Sequence, residues 1–304
     1  MTKRENHRCG FVGIVGPTNS GKSTLLNRLI DKKISIVSPL PQTTYHRVRG
    51  ILNTDAAQII FTDTPGYQHR KEGFAQCLNT VADKNAQDCD VLLWTFDVSR
   101  ENVAQQIFRM KRKISSLKSA ENSLCLLNKI DRIAKPALLP LLASISELSL
   151  FSEIVPLSAR TGCGIDSVIK SVVSRLPAGA PLYPRECSTD RPQDFLISEF
   201  IREKVYLETQ QELPYSVWIE TEEWKTDDHS RCPTIRAVVH VDSESRKAIL
   251  IGKGGSKLRE IGIRAREEIE KLLGRQICLK LHVDVHSEWR RDRRHTSQYL
   301  ELGA

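Results

Sequence analysis

Short apolar runs recur along the first 176 residues, and each is followed by a stretch whose apolar positions fall three and four apart. FVGIV (11–15), QIIFTD (58–63), DVLLWTFDV (90–98), SLCLLN (123–128) and EIVPLS (153–158) read as buried strands. STLLNRLI, VAQQIFRMKRKISSL and ALLPLLASISELS, lying between them, read as amphipathic helices. VRGILNTDAAQIIFTD reads as a hairpin that delivers one of the strands. Strands alternating with helices predict an α/β fold: a mostly parallel sheet with helices on both faces. Right-handed crossovers then gather the strand C-terminal ends on one edge, where ligands bind.

The pattern breaks at LPAGAPLYPRECSTDRPQDF (176–195), rich in proline, glycine and small polar residues. Beyond it FLISEFIREKVYLE reads as a helix, and SVWIETEEW and TIRAVVHVDS as strands. SRKAILIGKGGSKLREIGIRAREEIEKLLG follows as a strand or short helix, a glycine turn and a helix, and ICLKLHVDVH as a last strand. This order predicts a smaller α+β domain. The expected organisation is a first domain over 1–177, a linker over 178–194, and a second domain with its tail over 195–304.

Composition narrows the class. With 40% hydrophobic and 27% charged residues, the 304-residue chain is typical of soluble globular proteins. No apolar run reaches the length of a membrane-spanning helix, and MTKRENHRCG carries no apolar signal core. The eight cysteines are scattered without a CxxC pair, which predicts reduced thiols in a cytoplasmic protein. The net charge of +8 invites a nucleic-acid reading, but its distribution is uneven. Residues 187–245 carry a net −7, and 246–280 a net +6. A nucleic-acid site in the second domain would therefore be a local basic stripe.

The strand ends carry the candidate chemistry. GPTNSGKST, comprising Gly16, Pro17, Thr18, Asn19, Ser20, Gly21, Lys22, Ser23 and Thr24, follows a strand and opens a helix. Its glycines let backbone N–H groups approach phosphate oxygens, at the positive end of the following helix. Lys22 can reach the β- and γ-phosphates and Ser23 can ligate Mg²⁺. Asp63, Thr64, Pro65 and Gly66 end the next strand but one. There Asp63 can hold Mg²⁺ through its water shell, and the Gly66 N–H can meet the γ-phosphate. Asn128, Lys129, Ile130 and Asp131 end a later strand. The Asp131 carboxylate suits guanine N1–H and N2–H₂, Asn128 the O6/N7 edge, and the Lys129 stem the ring face. Ser158, Ala159 and Arg160 follow the next strand, with the Ala159 N–H aimed at O6. Each motif alone also fits an ordinary polar turn; the four in this order point to GTP and GDP.

PQTTYHR (41–47) is the candidate switch loop, with Thr44, or else Thr43, completing the Mg²⁺ shell. The catalytic set is then Lys22, Thr44, Asp63 and Gly66. Tyr67 stands where related enzymes orient water with glutamine, and Gln68 is one residue late. Asn19 is a candidate ligand for K⁺, which would act as a charge clamp beside the phosphates; a purely structural role in the loop turn is the competing reading.

In the second domain Ile251, Gly252, Lys253, Gly254 and Gly255 form a G-x-x-G turn before a basic helix that carries Lys257, Arg259, Arg264 and Arg266. Such a turn lets a single-stranded backbone come close. Ile249, Leu250 and Ile251 are expected on one side of a base groove. IREK (201–204) and LPYSV (213–217) read as structural, and WRRDRRH (289–295) as a solvated or phosphate-binding tail.

Together these pieces resemble the Era family of bacterial GTPases over nearly the whole chain. The pairing of QTT and DTPG with TDR, IREK, ELPYSV and IGKGG carries the likeness. It implies a Ras-like P-loop GTPase domain followed by a type II KH domain. It also implies a monomer that binds near the 3′ end of 16S rRNA, serves 30S subunit assembly, and associates peripherally with the inner membrane. Tyr45 stands where the family usually has arginine, and GPTNSGKS replaces the commoner GRPNVGKS. Two other readings remain at this point. One is an RNA-binding protein with a fixed, non-hydrolysed nucleotide. The other is a tRNA-modifying GTPase, which would carry a different appended domain and often a C-terminal cysteine, whereas this chain ends YLELGA.

Overall fold

The computed structural model describes residues 7–38, 46–67, 74–117, 122–209, 217–225 and 232–287. The candidate switch residues Thr43, Thr44 and Tyr45, as well as Gln68, positions 213–216 and the tail 289–295, lie outside these residues. Two compact units are present: 1–35 with 41–190, and 36–40 with 191–304.

The first unit is built on six strands: β1 (Arg8–Val15), β2 (Val48–Asn53), β3 (Ala57–Asp63), β4 (Val91–Asp97), β5 (Ser123–Asn128) and β6 (Glu153–Pro156). They lie in the order β2-β3-β1-β4-β5-β6. Only β2 runs antiparallel, paired with β3 as the hairpin reading predicts. β3, β4 and β5 are buried at every position, so both sheet faces are covered. α3 (Val103–Ser116) and α4 (Lys135–Ser146) share a core with Trp94, Phe96 and Leu127. α1 (Lys22–Ile30) packs on β1, β2 and β3 and touches α5 (Ile165–Arg175). α2 (Phe74–Gln87) lies against β1. Every parallel strand delivers its C-terminal end to one edge.

The stretch expected as a linker is mostly part of this unit. Through Asp190 it is tied down by hydrogen bonds. Gln58, fully buried in β3, accepts from the Leu182 and Tyr183 N–H groups at 2.7 and 2.9 Å and donates to the Tyr183 carbonyl at 2.8 Å. Ser188 accepts the Ile51 N–H at 2.9 Å, which satisfies part of the open edge of β2. Local composition, rich in proline and glycine, cannot reveal a partner more than a hundred residues away.

The second unit holds α6 (Gln193–Glu208), β7 (Trp218–Lys225), β8 (Thr234–Val241), α7 (Glu244–Ile251), α8 (Ser256–Leu273) and β9 (Cys278–Val285). β8 pairs antiparallel with β7 and parallel with β9. α6 packs on α8 and β7, and Ile197, Phe200 and Ile201 join Ile235, Val239, Ile261 and Ile269 in one core. Ile36, from the short segment ahead of the switch loop, belongs to this same core. The IREK residues are buried ions as well as structure. Arg202, wholly buried, forms two hydrogen bonds to Glu199 at 2.6 and 2.7 Å. Glu203 accepts from Lys204 at 2.7 Å and from the Val37 N–H at 2.8 Å. Buried charges of this kind stay only when paired and hydrogen-bonded.

Candidate nucleotide site and RNA groove

β1 ends at Val15 and α1 begins at Lys22, so 16–21 form the turn between them. Lys22 is 6% exposed, and its ammonium donates to the Pro17 carbonyl at 2.9 Å and the Gly16 carbonyl at 3.3 Å. Burial pulls its pKa down to about 8, and the Asp63 charge opposes that only partly. A polyanion in the loop restores the charge. Before nucleotide binds, Lys22 is ionised below about pH 8 and largely neutral above it. Nucleotide binding at about pH 8.5 should therefore take up roughly 0.8 proton, falling towards about 0.1 near pH 7. Calorimetry in buffers of different ionisation enthalpy reads that number; zero uptake at the higher pH would contradict this placement of Lys22.

Asp63 ends β3 and is fully buried. One carboxylate oxygen accepts from Ser35 Oγ at 3.0 Å, while the other, Oδ1, is buried with no close hydrogen-bond partner among the described residues. Burial raises the Asp63 pKa, with Lys22, Ser23, Ser35 and the Thr64 N–H working against the rise. An orphaned buried carboxylate oxygen beside a serine hydroxyl fits a Mg²⁺ hydration shell. Gly66 passes so close to the phosphate loop that a Cβ there would lie 2.8 Å from Thr18 Cα and 2.9 Å from Lys22 Nζ. The Tyr67 N–H donates to the Gly16 carbonyl at 3.0 Å, and the Thr64 hydroxyl donates to the Ile14 carbonyl at 3.1 Å. The Tyr67 side chain packs against α2, β4 and α3. Its hydroxyl donates to Asp83 at 3.1 Å and its ring stacks on Trp94 at 5.8 Å, with Lys113 over the ring and paired to Asp83.

The base-reading end is held by backbone bonds. Asn128 is 2% exposed; its Nδ2 donates to the Ser20 carbonyl at 2.8 Å, and its Oδ1 accepts the Lys129 and Ala159 N–H groups at 2.8 and 3.0 Å. The structure thus assigns Asn128 a bridging job between the phosphate loop and the loop after β6. The Ala159 N–H, expected at O6, is shared with that bridge. Lys129 has a left-handed backbone (φ 69°) and donates to the Asn19 carbonyl at 2.8 Å and to Asp97 at 2.6 Å. Ile130 opens the short turn Ile130–Arg132, which carries Asp131. Asp131 accepts from Ser158 Oγ at 2.6 Å and pairs with Arg160 at 2.7 Å. The Ser158 hydrogen bond and the Arg160 charge hold the Asp131 carboxyl below the usual range, so it is ionised at neutral pH. Each carboxylate oxygen keeps a second lone pair for a base N–H.

Asp97, at the end of β4, belongs to none of the sequence motifs. Burial works against its ionisation, yet hydrogen bonds from Lys129 and Ser99 hold its pKa down. The signal available was position: it closes a strand of the same parallel set as Asp63 and Asn128.

In the second unit α7 ends at Ile251 and α8 starts at Ser256, with the glycine turn between. Gly252 has φ 71°, and a Cβ there would lie 2.8 Å from Lys257 Cβ. Gly254 and Gly255, with φ 59° and 76°, face open space. A groove of about 350 Å³ runs from Gly255 along Leu258, Arg259, Ile263 and Arg266 to Leu279 and Leu281 of β9. Of the expected apolar wall, Leu250 is fully buried in the core and Ile251 packs against it, whereas Ile249 is exposed; Leu279 and Leu281 line the groove. Arg264 turns to Glu208 and Glu260, at 2.6 and 2.7 Å. Lys253, Lys257 and Arg259 make no ion pair among the described residues, which leaves their charge for a ligand.

These features define a class: a P-loop domain of the guanine-nucleotide type joined to a KH unit. A family described as "50S ribosome-binding GTPase" matches residues 11–129, and one described as "KH domain" matches 212–290. GTPase Era of Geotalea uraniireducens is 39% identical over 98% of this chain and 99% of its own. GTPase Era of Syntrophus aciditrophicus is 39% identical over 94% and 93%. A tyrosine-to-alanine variant of Aquifex aeolicus Era bound to GDP.AlF4⁻ is 37% identical, covers 95% of this chain and 98% of its own, and superposes with a TM-score of 0.87. Era in complex with MgGDPNP and nucleotides 1506–1542 of 16S ribosomal RNA is also 37% identical, covers 96% and 98%, and gives 0.89. The chain belongs to the Era family of GTPases.

Proposed function

We propose that this chain binds GTP with Mg²⁺, hydrolyses it to GDP, and binds the 3′ region of 16S rRNA through its KH unit, as a switch in rRNA processing and 30S subunit biogenesis. The observation that carries the reading is the convergence of Lys22, Asp63 and Asp131 on one sheet edge, with Asn128 and Lys129 both hydrogen-bonded to the phosphate loop. The relatives solved with GDP.AlF4⁻, and with MgGDPNP and 16S rRNA nucleotides, support it.

Lys22 and the loop N–H groups bind the phosphates, Asp63 and Ser23 face the Mg²⁺ shell, and Asp131 identifies guanine. Mg²⁺ when bound neutralises charge on the β- and γ-phosphates. Thr44 and the Gly66 N–H respond to the γ-phosphate, and its loss releases both loops. Intrinsic turnover is slow, because the residue after Gly66 is a tyrosine committed to Asp83 and cannot orient water. Asn19 would help hold K⁺, which would supply part of the missing charge compensation. The same reading includes a monomer in the cytoplasm, associating with the inner membrane only peripherally. No helix among the described residues is long and apolar enough to cross a membrane.

Phosphate release from GTP, measured with and without K⁺ and with and without 16S 3′-end RNA, tests the enzyme reading. Slow release that K⁺ accelerates is expected. No release under any condition would leave an RNA-binding protein with a fixed nucleotide.

A further inference from the structure

Arg28 lies near the C-terminal end of the helix that begins at the phosphate loop. Its Nε donates to the Ala159 carbonyl at 3.1 Å and its Nη2 to the Arg160 carbonyl at 2.6 Å. One guanidinium thus grips two successive carbonyls of the loop that faces the base, from the helix that carries Lys22. An arginine can do this because its donors form a rigid planar fork; a lysine offers a single point charge. Thr24, Arg28, Ala159 and Arg160 also share the wall of a cavity of about 350 Å³ at this junction.

The peptide geometry gives the grip a consequence. In a trans peptide the N–H points opposite to the C=O, and no cis bond occurs among the described residues. The Ser158–Ala159 plane is already set, with the Ser158 carbonyl accepting from Gly162 at 2.9 Å and the Ala159 N–H donating to Asn128. The next plane is set by Arg28, which holds the Ala159 carbonyl and so turns the Arg160 N–H the other way. We propose that Arg28 is a positioning residue for guanine O6, fixing the backbone N–H edge of residues 159–160 that the base carbonyl meets. This rests on the guanine reading given above.

The test separates O6 from the rest of the base. Affinities are measured for GDP, for IDP (which keeps O6 and N1–H and lacks the 2-amino group) and for 6-thio-GDP (which keeps N1–H and the 2-amino group and has the weaker acceptor sulfur in place of O6). In Arg28→Ala, GDP and IDP should each lose about tenfold while 6-thio-GDP, whose sulfur accepts only weakly, loses about twofold or less. Arg28→Lys should show the same pattern at smaller size, and it serves as the readout if the alanine variant does not fold, as judged by circular dichroism. An equal loss for all three nucleotides would make Arg28 a general scaffold and overturn the inference, as would no loss for any. Failure of the unmodified protein to bind GDP would instead sink the guanine reading itself.

Discussion

Replacing Asp131 by asparagine should cost about 10³-fold in affinity for GTP and GDP and raise affinity for xanthosine nucleotides. The carboxylate is ionised and held by Ser158 on one oxygen and Arg160 on the other. It offers acceptors only, which matches guanine N1–H and N2–H₂. An asparagine turns an amide N–H₂ towards those donors, so two donors face each other in a site with little water. Xanthine has a carbonyl oxygen where guanine has its amino group, and the new amide can donate to it. Arg160, largely exposed, does not prevent this exchange, since an exposed ion pair contributes little. Competition against a fluorescent GDP, read for GDP and XDP with both proteins, checks the result. Unchanged preference for GDP in Asp131→Asn would remove this residue from the base site.

Reversing two charges at the KH turn should have the second large effect. Lys253 and Lys257 flank Gly254 and Gly255 and have no ion pair among the described residues. Lys253→Glu with Lys257→Glu should weaken binding of single-stranded 16S 3′-end RNA by about a hundredfold at low salt and lower the salt slope by about 1.4. Their placement at the open turn, with Leu279 and Leu281 lining the groove beyond, separates a backbone contact from base stacking. Binding by fluorescence anisotropy across a salt series gives both numbers, and GTP affinity in the same variant should stay unchanged. Unaltered RNA affinity and slope would remove the turn from the interface.

What could be read in advance was whatever the chain writes contiguously. The phosphate loop, Asp63 to Gly66, Asn128 to Asp131 and the glycine turn each fill one short stretch, because each chemistry needs neighbouring backbone groups. Asp97 and Arg28 escape such a reading because their partners, Lys129 and Ala159, lie 32 and 131 residues away. Parallel pairing of β4 with β5 brings the first together, and the packing of α1 beside α5, which follows the 158–164 loop, brings the second. Leu279 and Leu281 escape it because alternation along β9 marks a strand but not which face it shows to α8. Ile36 escapes it too: it falls within the sequence span of the first domain, and only the folded chain places it in the core of the second unit. The expected linker fails as a linker because Gln58, a polar residue inside an apolar strand, binds it through residues 182–183.

A single pocket joins the phosphate grip of Lys22 to the guanine reader Asp131. Calorimetric titration of the nucleotide-free protein with GDP, IDP and ADP in Mg²⁺ tests it most directly. GDP should bind best, IDP more weakly by about a hundredfold, and ADP by about 10⁴-fold or more. ADP binding as tightly as GDP, to protein whose fold is intact by circular dichroism, would contradict it.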